Sequence, residues 1–69
     1  MNRYNVSYTK VFIPGSSLEG IRYPETESGL TIEQAEQRRV WAQIHQSKPV
    51  RAYCSSHYTI ADFTVEPAN

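Results

Sequence analysis

The sequence predicts a small α+β domain in which one helix packs on a three- or four-stranded antiparallel sheet. Three observations support this class. The chain has 69 residues, enough for one domain over 1–69 with an ordered core over about 3–66. Apolar and polar residues alternate near both ends, as in strands, and a capped helical segment lies between them. Elements in this order pack as a helix on one face of a sheet.

The first strand is expected over Arg3–Ile13, where β-favouring residues alternate with polar ones. The residues of one parity should face the core: Tyr4, Val6, Tyr8 and Phe12. Lys10 interrupts this face, and Val11 and Ile13 interrupt the polar one. A bulge, or a strand end buried on both faces, would explain these interruptions.

The segment after the first strand begins with a turn at Pro14–Ser17, because proline and glycine favour turn dihedrals. Leu18–Tyr23 is a possible short strand. Pro24 cannot donate a backbone hydrogen bond, so this strand would lie at an edge or be an extended connection. Glu25–Gly29 is expected to be a loop.

A helix is expected from Ile32 to His45 or Gln46. Thr31 and Gln34 form the pattern of a capping box at its start. Pro49 prevents the helix from continuing. At about 100° per residue, one predicted apolar stripe comprises Ile32, Ala35, Ala42 and the stem of Arg39. Trp41 lies nearly opposite Ile32, so the core wraps widely around the helix or Trp41 is partly exposed.

The C-terminal part reads as a hairpin of Val50–Cys54 and Tyr58–Glu66, joined by Ser55, Ser56 and His57. The alternation changes phase near Ala61 and Asp62, which predicts a bulge. The second face of the resulting sheet would be open to solvent or to a partner.

The composition narrows the functional classes. Seven basic and seven acidic residues cancel, which argues against a binder dominated by phosphate contacts. Cys54 is the single cysteine, cannot form an internal disulfide and fits a reducing cytoplasm. Met1–Ser7 lacks the apolar region of a signal peptide, and Val11–Ile13 is far shorter than the about 20 residues of a membrane span.

The sequence predicts neither a cofactor nor a metal site, and it predicts no enzyme activity. Cys54 and His57 have a spacing seen in metal sites, but His45 is the only further Cys or His, and zinc sites use three or four protein ligands. Cys54 with either histidine could imitate a thiol nucleophile and its base. A domain this small has little room for a substrate pocket of the usual volume, about 300 Å³ or more.

A binding protein is therefore the leading hypothesis. Tyr, Trp and Arg are enriched at interaction hot spots, and the contact surface is expected on the open sheet face and the C-terminal half of the helix. The residues expected to contact a partner are Arg38, Arg39, Trp41, Arg51 and Tyr53.

Two alternatives remain open. A weak nucleic-acid-binding module would use a local basic patch of Arg38, Arg39, Lys48 and Arg51. Four positive charges release few counterions when they bind phosphates, so the affinity would be weak at physiological salt. A homodimer could instead form through an exposed sheet edge.

In size and style the chain resembles small accessory proteins of bacteriophages and mobile elements, such as anti-CRISPRs and inhibitors of host enzymes. This resemblance implies a non-enzymatic inhibitor or modulator that occludes part of a larger host or defence complex. It also implies action in the cytoplasm, which is the host cytoplasm for a phage-encoded protein.

Overall fold

The computed structural model describes residues 2–51 and 56–68. Its elements are β1 (Tyr4–Phe12), β2 (Arg22–Leu30), α1 (Ile32–Ile44) and β3 (Tyr58–Pro67). The strands form one antiparallel sheet in the order β2-β1-β3, and α1 contacts all three strands. A helix on a three-stranded antiparallel sheet confirms the predicted α+β class.

The β1 residues that face the helix are the even-numbered ones, as predicted. Val6 and Phe12 are buried, and the ring of Tyr8 meets that of Trp41 on α1 at a centroid distance of 5.3 Å. Phe12 also packs against the ring of Tyr58, at 5.4 Å. The alternation of β1 therefore correctly identified the face that the helix covers.

Lys10 does not mark a bulge. Its register is regular on both sides, opposite Tyr23 on β2 and Ile60 on β3. Its ammonium lies 5.1 Å from the centre of the Tyr58 ring and 3.5 Å from Glu25. A long side chain can lie on an apolar face while its charge reaches such partners, so the strand needs no irregularity here.

The predicted loop at Glu25–Gly29 is wrong, because these residues belong to β2. The expected short strand at Leu18–Tyr23 is wrong for its first part, since Leu18–Gly20 form turns and β2 begins at Arg22. Cross-strand pairs offset the poor strand propensity of the segment. Among them are the Lys10–Glu25 ion pair and the contact of the Ser7 and Thr26 hydroxyls at 3.3 Å.

A bulge lies near the end of β2. Tyr4 pairs with Leu30 and Val6 with Glu27, so two β2 residues face Asn5 alone. Gly29 has a φ of +73°, a conformation that glycine adopts without steric cost. Its N–H donates to Oδ1 of Asn5 at 3.4 Å, and the strand then runs directly into the helix cap.

The bulge predicted near Asp62 is confirmed. Ser7 pairs with Thr64 and Thr9 with Ala61, so Asp62 and Phe63 together oppose Tyr8. Asp62 has a φ of +56°, a region in which aspartate is enriched among non-glycine residues.

The helix begins at the predicted capping box. The Thr31 hydroxyl accepts from the Gln34 N–H at 3.2 Å, and the Gln34 side chain accepts from the Thr31 N–H at 2.9 Å. The helix ends at Ile44 with His45 as its C-cap, one residue before the predicted end.

The predicted apolar stripe of α1 is wrong at Ile32. Ala35 and Ala42 are buried, but Ile32 is exposed. The bulky residue that faces the sheet is Trp41, through its contact with Tyr8. Because the cap places Ile32 in the first turn, next to the end of β2, the sheet does not extend far enough to cover it.

The core is thin. Among the residues that the structure describes, the buried apolar set is Val6, Phe12, Ala35, Ala42 and Ile60. The radius of gyration of the Cα atoms is 12.9 Å, against about 11 Å for a compact domain of this length. Apolar side chains that this elongated shape does not bury remain at its surface.

The predicted fourth strand is seen only at its start. Val50 forms an isolated antiparallel bridge with Tyr58, with backbone hydrogen bonds of 2.7 and 3.2 Å. Arg51, the next residue of the predicted strand, is in no strand. The rest of the predicted strand, including Cys54, and part of the connecting turn lie outside the described residues.

Candidate functional site

An apolar ridge runs along the side of α1 that faces solvent. Ile32, Val40 and Ile44 are 54, 44 and 52% exposed. Val40 and Ile44 each lie about 160° around the helix from buried Ala42. Together with Glu36, these residues form a row at four-residue spacing. We call Ile32, Glu36, Val40 and Ile44 the helix ridge.

Charged side chains lie within and beside this ridge. Glu36 accepts hydrogen bonds from the Arg39 guanidinium, with Nε of Arg39 3.1 Å from Oε2 of Glu36. This contact lowers the pKa of Glu36 and raises that of Arg39. Glu33 is exposed and forms no ion pair in the described part of the chain. The ridge is thus an apolar surface with an acid and a base near its middle.

Arg38, one of the residues expected to contact a partner, is held against the sheet. Its Nε lies 2.5 Å from Oε2 of Glu27, and its NH2 nitrogen lies 3.1 Å from Oε1. These bonds raise the pKa of Arg38. A bidentate pair of this kind fixes the geometry of both side chains, so Arg38 joins α1 to β2.

Trp41, a second expected contact residue, lies between elements of the fold. Its ring meets that of Tyr8 edge-on, and the ring of His45 lies 5.6 Å away. The side chain is half-buried. Trp41 therefore has a packing role, and a partner reaches only its exposed part.

Two further predicted contact residues, Lys48 and Arg51, follow α1 in the chain. Lys48 and Arg51 are exposed and take part in no ion pair among the described residues. Tyr53 lies outside the described residues. Arg38 and Arg39 each pair with a carboxylate, which reduces the positive charge of the predicted basic patch.

The open face of the sheet is rich in hydroxyl groups and lies on the opposite side from α1. Ser7 and Thr9 of β1 are flanked by Thr26 on β2 and Thr64 on β3. The helix and this face do not form one continuous surface, because the sheet lies between them.

The outer edge of β2 lacks a donor in the middle of the strand. Phe12 donates to the carbonyl of Ile21 at 3.1 Å and accepts from the N–H of Gly20 at 3.3 Å, so even-numbered β1 residues point their backbone groups toward β2. Pro24 pairs with odd-numbered Thr9. Its nitrogen therefore faces the outer edge, where a proline discourages strand addition.

The outer edge of β3 is also blocked. Tyr58 exchanges hydrogen bonds with Val50, and the Ile60 N–H donates to the His45 carbonyl at 2.9 Å. The Asp62 bulge follows, and Pro67 ends the strand. Neither edge offers a continuous row of free backbone groups to another chain.

Few features of residues 2–51 and 56–68 indicate a metal site or a catalytic site. These residues contain no group of three or more metal-ligating side chains. The groove between α1 and β3, beside Arg39 and Asp62, has a volume of about 110 Å³, against about 300–1,000 Å³ for typical small-molecule sites. A wider, open depression of about 420 Å³ lies on the exposed side of α1 and is lined by Glu33, Glu36, Gln37 and Val40. His45 contributes to the fold, since its Nδ1 lies 2.7 Å from the Lys48 carbonyl.

Half-buried His57 has a buried ring nitrogen. Its Nδ1 has no hydrogen-bond partner among the residues that the structure describes, and its backbone carbonyl accepts from the Ile13 N–H at 3.1 Å. Its predicted neighbour in a Cys–His pair, Cys54, lies outside them.

The helix ridge was missed in the sequence, although a signal for it is present. Glu36, Val40 and Ile44 continue the four-residue spacing that begins at Ile32. Assigning Ile32 to the buried side obscured this pattern, because the small residues Ala35 and Ala42 in fact face the core.

Comparisons with known proteins add no further constraint. In the described part of the chain, no helix has the length and apolar character needed to cross a membrane. No protein-family model, curated protein or solved structure matches the chain.

Proposed function

We propose that this chain is a non-enzymatic binding protein that inhibits or modulates a larger protein or complex by covering part of its surface. The observation that carries this proposal is the exposed helix ridge, in which three large aliphatic side chains face solvent. Clustered apolar residues with a polar border are typical of protein interaction sites.

The form of contact follows from the sheet edges. Since Pro24 and the Asp62 bulge interrupt the two edges, a partner cannot extend the sheet along its full length. It meets side chains of the helix instead, in the manner of an amphipathic helix that lies in an apolar groove. A small accessory inhibitor of the anti-CRISPR type would act in this way.

The partner chemistry follows from the border of the ridge. Glu33 is the exposed acid without an ion-pair partner in the described part of α1. An apolar groove on a larger protein, with a basic side chain near the N-terminal end of α1, complements this surface. Arg39 lies at the margin of the same surface, while Arg38, Trp41, Arg51 and Tyr53 remain predicted contacts.

The test uses photo-cross-linking in cells from a benzoylphenylalanine placed at position 40, with the same probe at Leu18 as the matched control. Leu18 is also an exposed aliphatic residue, but it lies in the turn before β2. We expect one protein to be cross-linked from position 40 and not from position 18. Its purified form should bind Val40→Asp at least about tenfold more weakly than the unsubstituted chain.

Two results would count against the proposal. Equal binding of Val40→Asp and the unsubstituted chain would remove the ridge as the contact site. If neither probe is cross-linked to a protein and none co-purifies after nuclease treatment, the chain does not act by protein contact.

The alternative is a weak nucleic-acid-binding module that uses Arg38, Arg39, Lys48 and Arg51. It is favoured by the exposure of Lys48 and Arg51 without ion-pair partners in the described residues. Its affinity for single-stranded DNA should fall steeply as salt rises. Lys48→Ala should reduce the slope of log affinity against log salt concentration by about 1, the value for one phosphate contact. No salt-dependent binding at low ionic strength would exclude it.

A further inference from the structure

We infer that in the free protein a second copy of the chain covers the helix ridge. The two α1 helices are antiparallel, and the two-fold axis lies between their ridges at the level of residue 38 along the helix. This inference does not depend on the identity of a larger partner, because it concerns the purified chain alone.

The spacing of the ridge supports a two-fold contact. Ile32 and Ile44 stand at equal distances from position 38, each about 9 Å along the helix axis. An antiparallel copy therefore places Ile32 against Ile44 of the second copy, and Ile44 against its Ile32. Such a contact is isologous, since the same patch serves both copies.

The geometry of helix packing fits the same arrangement. Residues four apart form one ridge of a helix, and two such ridges interlock at an interaxial angle of about −50° in the commonest class of packing. In this antiparallel order Val40 packs beside the aliphatic stem of Glu36 from the second copy. The sheets then lie on the outer sides of the two helices, where they do not obstruct the contact.

The charges at the centre are self-complementary. Glu36 and Arg39 already pair within one chain, and position 36 of one copy lies opposite position 40 of the other. Arg39 of each copy therefore approaches Glu36 of the other, and four charges of alternating sign surround the axis. Antiparallel helices also bring opposite ends of their dipoles together.

A dimer through the sheet is disfavoured by comparison. Pro24 interrupts the outer edge of β2, and contacts with Val50 and His45 occupy the first part of the β3 edge. The open sheet face presents hydroxyl groups rather than a comparable row of large aliphatic side chains. Compared with the two sheet edges and the open sheet face, the ridge therefore gains more from a second copy.

The size of the contact sets its strength. A 13-residue helix is about 20 Å long and 10 Å wide, so its footprint is far below the about 800 Å² that each partner buries in a standard interface. We therefore expect a weak dimer that dissociates on dilution. A larger protein with a deeper groove would displace the second copy.

The first test is sedimentation equilibrium of the full chain from about 10 μM to 1 mM, a range of weak association. We expect the mean mass to rise toward that of a dimer. Val40→Glu should remain monomeric, while the matched control Leu18→Glu should dimerise like the unsubstituted chain. A monomeric unsubstituted chain at 1 mM, or unchanged association of Val40→Glu, would overturn the inference.

A second pair of variants tests the orientation even if Val40→Glu unfolds. Glu36→Arg makes the centre entirely basic, and Arg39→Glu makes it entirely acidic. Each variant alone should dimerise at least about tenfold more weakly, and an equal mixture should recover association by pairing opposite charges. If the mixture associates no better than the separate variants, the antiparallel arrangement about residue 38 is wrong.

Discussion

Arg38 on the helix and Glu27 on the edge strand β2 form a bidentate ion pair, with separations of 2.5 and 3.1 Å. The two residues lie 11 positions apart in the chain, on either side of the helix cap that joins β2 to α1. The same arginine was predicted to contact a partner. Arg38 stays a predicted partner contact, and its side chain also helps to position the helix that carries the exposed ridge.

The Arg38–Glu27 pair should therefore contribute measurably to stability. Both side chains are more than a third exposed, so solvent screens the attraction and we expect a coupling free energy of about 0.5–1 kcal/mol. Urea unfolding of Arg38→Ala, Glu27→Ala and the double variant measures this coupling. A coupling of zero would show that the pair does not help to position α1.

Trp41 should matter more for folding than for binding. Its ring packs edge-on against Tyr8, and such a pair contributes about 0.5–1.5 kcal/mol beyond the burial of its area. We expect Trp41→Ala to lower the free energy of unfolding by about 2–3 kcal/mol, a large part of the about 3–5 kcal/mol available to a domain of this size.

The measurement for Trp41 is thermal or urea unfolding followed by circular dichroism, with Val40→Ala as the control on the exposed ridge. Equal stability of Trp41→Ala and the unsubstituted chain would contradict the packing role and restore Trp41 as a free contact residue.

Tyr8 should make stability depend on alkaline pH. Burial, followed by the charges of Glu27 and Glu25, raises the pKa of Tyr8 above its ordinary value. The folded chain then retains the phenolic proton where the unfolded chain has lost it. The stabilisation is complete below the unfolded pKa of about 10 and decreases as pH rises toward the higher folded pKa.

The variant Tyr8→Phe retains the ring against Trp41 and removes this titration. Its unfolding free energy should fall less steeply between about pH 9 and 11 than that of the unsubstituted chain. Because the two proteins differ only at position 8, the difference between the two profiles isolates Tyr8. Identical slopes would contradict a raised pKa at this position.

Pro24 should protect the outer edge of the sheet. Pro24→Thr restores a backbone N–H that points away from β1, and threonine has a high strand propensity. We expect the fold to persist and new association to appear that Val40→Glu does not abolish, since it would use the edge rather than the ridge. Sedimentation of the Pro24→Thr, Val40→Glu double variant measures this, and a monomeric double variant would contradict it.

Local patterns predicted much of the fold. The alternation of Tyr4, Val6 and Tyr8 correctly indicated the buried side of β1, and Thr31 with Gln34 correctly marked the helix start. The β2 strand escaped prediction because Glu25 and Glu27 have low strand propensity. Their ion-pair partners Lys10 and Arg38 lie outside this segment of the sequence, so the local pattern does not reveal the pairs.

The candidate site depended on packing more than on residue type. Arginine and tryptophan suggested a contact surface, but Arg38 and Trp41 face the sheet, whereas Ile32, Val40 and Ile44 face solvent. A helical wheel gives the relative directions of these side chains. It does not state which direction the sheet occupies.

The sequence by itself determined the α+β class, the helix with its cap, the bulge at Asp62 and the turn after β1, because each depends on neighbouring residues in the chain. The tertiary structure decided the strand order β2-β1-β3, the pairing of Arg38 with Glu27 and the exposure of the helix ridge. These features depend on contacts between distant segments, and a thin core can bury only one side of a helix.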